Sequence, residues 1–167
     1  MTLFTTAVIG SLPRPKYILD LLLHNGELQT LSAKQECLLE GAIRSAVSLQ
    51  EQAGIDLITD GEWRRITFFD ILAQIADGFR LMEDPLTKHL RTFTVVDRIR
   101  PRSSGFLARE VQFLRSITSR SIKVTLPSPA LLGERMWHAQ HSRDAYPDRE
   151  AFVAACIPLL RKELVGI

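Results

Sequence analysis

Extended, β-branched runs alternate with helix-periodic segments along the whole chain, and this alternation constrains the fold more than any other feature. Residues 5–10, 55–59, 92–99 and 121–129 read as strands. Between them, 16–24 reads as a short helix stopped by Asn25-Gly26. Ser32 with Gln35 three residues on is a capping box, opening a long helix that Gly54 ends. Leu38, Leu39, Ala42, Ile43, Ala46, Val47 and Leu49 form its apolar stripe. A helix is expected over 67–76, breaking at Asp77-Gly78, with 79–91 irregular or hairpin-like. Leu107, Val111 and Leu114 give 106–117 helical spacing. A last helix, capped at or beside Asp148, runs to about Leu164, with Pro158 expected to kink or interrupt it.

Such an order argues for parallel strands joined by crossover helices, in an α/β fold. A flavodoxin-like sheet and a (β/α)₈ barrel share this local grammar. A complete barrel takes roughly 250 residues, or at least ~200. Four βα units in 167 residues make half of one, the N-terminal half of a TIM-type barrel. No linker or composition break divides residues 1–167, so one incomplete domain is expected. The chain stops at "RKELVGI", after a helix, where a fifth strand would be due. An unpaired parallel edge exposes backbone donors and acceptors, so self-association or a second half-barrel chain would cover it.

A net charge of +2 does not point to a nucleic-acid partner, and Arg98, Arg100 and Arg102 read as a solvated loop face. Cys37 and Cys156 make no disulfide or metal pattern; two buried reduced thiols are expected. The N-terminus lacks a basic segment followed by an apolar core, and no run approaches the ~18 apolar residues of a membrane span. A soluble, cytoplasmic protein is the expectation.

In either architecture ligands sit beyond the carboxyl ends of the strands. The four exits read Gly10-Ser11-Leu12-Pro13, Asp60-Gly61-Glu62, Asp97-Arg98 and Pro127-Ser128-Pro129. Gly10-Ser11 offers unobstructed amides and a hydroxyl, or else only a turn that needs a positive φ. Asp60 and Glu62 place two carboxylates on one exit, fit to hold an ammonium group or to pair with Arg64 or Arg65. His138 and His141 are three residues apart without further ligands at zinc spacing; His24 and His89 are isolated. Trp137 reads as a packing tryptophan.

"VIGSLPRP", "QEQAGIDLITDGEWRR" and "IKVTLPSPALL", in this order, resemble the cobalamin-independent methionine synthase family, specifically its C-terminal catalytic barrel. The resemblance implies a (β/α)₈ barrel in which zinc activates a thiol for methyl or alkyl transfer. Zinc lowers the thiol pKa and so supplies a thiolate near neutral pH. It also implies that Ile9, Gly10, Ser11 and Glu62 hold the amino-acid part of a thiol substrate such as homocysteine. Asp60 stands where these synthases tend to have histidine, and Arg65 matches a family arginine. The family's zinc ligands (a His-x-Cys pair, a glutamate and a later cysteine) come from the second half of the barrel, beyond this chain. Pro127-Ser128-Pro129 replaces a common Gly-Pro, and the folate-stacking tryptophan is unmatched, so a folate donor is not implied.

The resemblance therefore implies a truncated or split half of a zinc-dependent methyl or alkyl transferase of methionine biosynthesis. This chain alone is expected to carry no catalytic zinc and no activity. The competing expectation is a non-catalytic half-barrel or a flavodoxin-like binding domain.

Overall fold

In the computed structural model, residues 4–24, 27–28, 30–83, 91–102 and 104–167 are described. In chain order the elements are α1 (Lys16–Leu22), β1 (Leu23–His24), β2 (Glu27–Leu28), α2 (Ala33–Gln52) and β3 (Leu57–Ile58). Then come α3 (Ile71–Ile75), β4 (Ala76–Glu83), β5 (Arg91–Pro101) and α4 (Phe106–Ile117). The chain finishes with β6 (Ser121–Ile122), α5 (Pro129–Met136), α6 (Ala139–Ser142) and α7 (Arg149–Val165). The expected stop at Asn25-Gly26, the residue His89 and the His24 side chain lie outside what is described. Contacts divide the chain into two compact units: Met1–Phe68 with Arg109–Thr125, and Phe69–Ala108 with Leu126–Ile167.

The first unit holds the parallel pairing. Ala7 bridges Leu57, and β3 pairs in parallel with β6 through Leu57–Ser121 and Ile58–Ile122. The ladders are short because side chains take over the pairing at both ends of the central strand. At its start, the Thr6 amide and hydroxyl both donate to Asp56 Oδ2 at 2.8 Å. At its exit, buried Gln50 acts as a neighbouring strand would. Its Nε2 donates to the Thr59 carbonyl at 2.9 Å, and its Oε1 accepts from the Thr59 amide at 3.0 Å.

The capping box of α2 forms as expected, with the Ser32 amide donating to Gln35 Oε1 at 2.9 Å and Ser32 Oγ accepting from the Gln35 amide. Leu39, Ala42, Ile43, Ala46 and Val47 bury their side chains in a core with Ile18, Leu22, Ile58, Trp63 and Leu114. Leu38 and Leu49, assigned to this stripe from sequence, face solvent. The buried row runs 39, 42, 43, 46, 47 and 50, so its last place falls to Gln50. Cys37 is likewise off that row and exposed, which corrects the expectation of two buried thiols. Cys156 is buried, and burial pushes its thiol up to about 12.

The second unit contains the largest departure from the sequence reading. The third extended run, expected as a parallel strand, is an arm of an antiparallel hairpin: β4 pairs with β5 from Ala76–Pro101 to Glu83–Arg91. Parallel neighbours need a crossover of about a dozen residues or more, and the gap from Glu83 to Arg91 is too short. The described parallel segments are therefore three rather than four. The helix before the hairpin shrinks to Ile71–Ile75, and Gly78 marks a bulge in β4 instead of a helix end. At φ +108°, a Cβ on Gly78 would stand 2.9 Å from the carbonyl oxygens of Asp97 and Arg98, so only glycine fits. Arg98, Arg100 and Arg102 are exposed near the end of β5 and just beyond it. Arg100 pairs with Asp97 at 3.1 Å and Arg102 with Asp77 at 3.0 Å.

Asp148 caps α7 by accepting from the Ala151 amide at 2.8 Å, and the helix runs on through Pro158 to Val165. Buried Glu163 accepts from the Gly105 and Leu107 amides at 2.8 and 2.9 Å, satisfying donors at the start of α4. Phe152 is fully buried, with edge contacts to Phe79 and Tyr146 at ring separations of 6.3 and 5.4 Å. Phe152→Ala should cost about 3–5 kcal/mol, read as a lower midpoint in urea with an unchanged slope.

Candidate functional site

The first two strand exits lock together. The Leu12 amide donates to the Gly61 carbonyl at 3.1 Å, and the Trp63 indole N–H donates to the Leu12 carbonyl at 3.1 Å. Gly10 and Gly61 adopt φ of +78° and +73°, so the turn reading of Gly10 is correct as far as it goes. Glu62 follows at φ +58°, the one described non-glycine residue in the left-handed region. Such a backbone costs on the order of 1–3 kcal/mol and persists only where its surroundings fix it.

Two side chains do that here. Asp60 Oδ1 accepts from the Glu62 amide at 2.8 Å, and Arg14 Nη2 donates to the Glu62 carbonyl at 2.9 Å. The enforced turn brings the Glu62 carboxylate to Ser11, whose Oγ donates to Oε2 at 2.7 Å. Arg14 Nη2 also donates to Ser11 Oγ at 3.1 Å. Ser11 and Glu62 are thus in contact across 51 residues of sequence, beside a cation. The Ile9 side chain is 93% exposed, so it adds no side-chain contact to this cluster.

Behind this pair lies a buried charged layer. Arg65, 2% exposed, donates to Glu110 Oε2 at 2.5 Å and to the Thr125 carbonyl at 2.7 Å. Burial raises the Asp60 carboxyl above its ordinary value, against the opposing charge of Arg65. Burial likewise pushes Glu110 up to about 7, despite the Arg65 ion pair. Asp60 Oδ2 and Glu110 Oε1 have no hydrogen-bond partner among the described residues.

The remaining sequence candidates are structural. Ser128 caps α5, accepting from the Leu131 amide at 3.2 Å, with Pro129 at the first helical position. Asp97-Arg98 belongs to the hairpin and is no parallel-strand exit. Trp137 is half-buried and donates to the Tyr146 carbonyl at 3.1 Å. His141 is exposed on α6, and the His138 amide donates to Ser142 Oγ at 3.0 Å. Among the described residues no three His, Cys, Asp or Glu side chains group closely enough to hold a metal ion. The described residues therefore do not fit a zinc site. Among the same residues, no helix is long and apolar enough to cross a membrane.

Gln50 and Glu110 were not singled out from sequence. Glu110 had a signal: it falls on the buried row of Leu107, Val111 and Leu114, where a carboxylate needs a partner.

Comparison with known proteins decides the family. The family described as "Cobalamin-independent synthase, Catalytic domain" matches residues 4–100. This chain belongs to it. The methionine synthase of Sulfolobus acidocaldarius is 30% identical over 139 residues, which cover 80% of this chain and 40% of that relative. The 5-methyltetrahydropteroyltriglutamate–homocysteine methyltransferase of Thermotoga maritima is 22% identical, covering 90% of this chain and 20% of the relative. The structure of a B12-independent methionine synthase from a Shewanella species, in complex with selenomethionine, matches with TM-score 0.73 and 23% identity. It covers 94% of this chain and 46% of that one. The chain spans less than half the length of these synthases, and the last match shows a shared α/β fold.

Proposed function

We propose that this chain is the N-terminal half of a (β/α)₈ barrel and supplies the amino-acid cradle for methyl or alkyl transfer to a thiol such as homocysteine. The observation that carries the proposal is the Ser11–Glu62 contact at two interlocked strand exits. Glu62 is held there with its backbone in the left-handed region. The amino-acid ligand named for the Shewanella structure and the homocysteine named for the Thermotoga relative support it.

The Ser11 hydroxyl donates to Glu62. An incoming ammonium takes that carboxylate oxygen as a charge-assisted partner. The Ser11 hydroxyl then turns to the substrate carboxylate, along with backbone amides near Ile9 and Gly10, while Arg14 adds positive charge. These residues bind and orient; they leave the thiol end of the substrate outside their reach.

Zinc, where the family binds it, lowers the pKa of a thiol. The residues described here do not furnish its ligands, and no step is assigned through it. On this proposal the 167 residues form one incomplete, cytoplasmic domain. A second half-barrel chain, or a longer polypeptide, brings the metal site.

The test is reconstitution. Co-expression with the second half of a matched methionine synthase should give an equimolar complex that holds zinc and methylates homocysteine. A methylfolate and simpler methyl donors are assayed in parallel. Stoichiometric zinc on this chain alone, or a zinc-loaded complex that methylates no thiol, would overturn the proposal.

A further inference from the structure

In the second unit a groove of about 480 Å³ is walled by Ile75, Ile99, Tyr146, Pro158 and Leu159. That volume lies within the roughly 300–1,000 Å³ of small-molecule sites. The walls are mainly apolar, interrupted by Arg98, Lys162, Ser104, Glu163 and the Tyr146 hydroxyl. Arg98 and Lys162 both line the groove. The Arg98 guanidinium carbon sits 4.9 Å from the centroid of the Tyr146 ring, which fixes the cation against that wall.

The Tyr146 ring also carries a hydroxyl. Tyr146 is 3% exposed, and its oxygen accepts from the Ile99 amide at 2.9 Å. A phenol also carries one proton to donate, and among the described residues the hydroxyl's hydrogen bond is the one it accepts from Ile99. A buried donor is costly unless an acceptor completes it. The acid in the lining, Glu163, is already committed to the Gly105 and Leu107 amides.

We propose that this groove binds a small amphipathic carboxylate: an apolar body lies along the walls, and one carboxylate accepts from Tyr146 and pairs with Arg98 and Lys162. A planar two-oxygen acceptor suits a hydroxyl donor beside a guanidinium. A multiply charged phosphate would leave the apolar walls uncovered. The site is separate from the Ser11–Glu62 cradle and does not rest on its proposed role.

The test titrates the full chain with octanoate, 1-octanol, octylammonium and inorganic phosphate. Calorimetry and the backbone amide signal of Ile99 report binding. Octanoate should bind saturably at one site and shift that signal, with octanol weaker and octylammonium and phosphate not saturating. Arg98→Gln and Lys162→Gln, both at exposed side chains, should each weaken octanoate about 3- to 10-fold while leaving the thermal melt unchanged. Ala155→Trp, which fills the groove, should abolish binding. Equal binding of octylammonium, no saturable octanoate binding, or octanoate affinity untouched by all three variants would overturn the proposal.

Discussion

Arg65→Met should lower the melting temperature sharply at about pH 7.5, while Glu110→Gln folds normally there. Arg65 neutralises a pocket in which Asp60 and Glu110 are both buried. Its removal breaks the buried ion pair and leaves the two carboxylates only the weaker influence of Arg64, a loss of about 3–5 kcal/mol. A domain of this kind has only about 5–15 kcal/mol to lose. The pH dependence identifies the cause. Glu110 has a folded value of about 7 against an ordinary 4.5, raised by burial. The folded state therefore keeps a proton that the unfolded state has released, so stability falls as pH rises across that window. The parent should melt highest near about pH 5 and lose up to about 3 kcal/mol by about pH 7.5. Glu110→Gln should flatten most of this slope. The rest belongs to Asp60, whose carboxyl is raised in the same direction. Thermal melts across this range decide it. A flat parent profile, or an Arg65→Met variant as stable as the parent, would refute the account of this layer.

What the sequence made legible follows from which interactions are local. The Ser32–Gln35 box, the Asp148 cap and the span of α4 depend on residues within one or two turns, and they stand where the pattern puts them. Strand identity was harder. Residues 92–99 have the β-branched composition of a strand in any setting. Their partner decides between parallel and antiparallel, and that partner, β4, was concealed in a stretch of mixed polarity. The parallel ladders are also shorter than the apolar runs that signal them, because Gln50 and the Thr6–Asp56 pair complete the ends with side chains.

The candidate site divides in the same way. Gly10, Ser11, Asp60 and Glu62 were visible as strand-exit residues, but spacing alone could not join Ser11 to Glu62. That contact depends on a left-handed glutamate, which no composition rule anticipates. Arg14 stands between Pro13 and Pro15. The flanking prolines limit its backbone, and its guanidinium donates to the Glu62 carbonyl and to Ser11 Oγ.

The turn at Glu62 gives the second large effect. In the reconstituted transferase, Glu62→Gln should lower kcat/KM for the amino-acid thiol about 10- to 100-fold, chiefly through KM. The substitution keeps the hydrogen bond to Ser11 within reach of an amide oxygen but removes the charge that an ammonium needs. A thiol acid of the same length without the amino group should not distinguish parent from variant. Asp60→Ala offers a check on position as opposed to charge. It leaves the Glu62 carboxylate in place but deletes the acceptor that holds the Glu62 amide at 2.8 Å. It should therefore weaken binding of the amino-acid thiol by a smaller factor, and Asp60→Asn, which retains an acceptor oxygen, should restore most of it. If Glu62→Gln instead impairs both substrates equally, Glu62 maintains the fold of the two exits and does not read the amino group. The strained backbone would then serve the Leu12–Gly61 and Trp63–Leu12 bonds that tie those exits together.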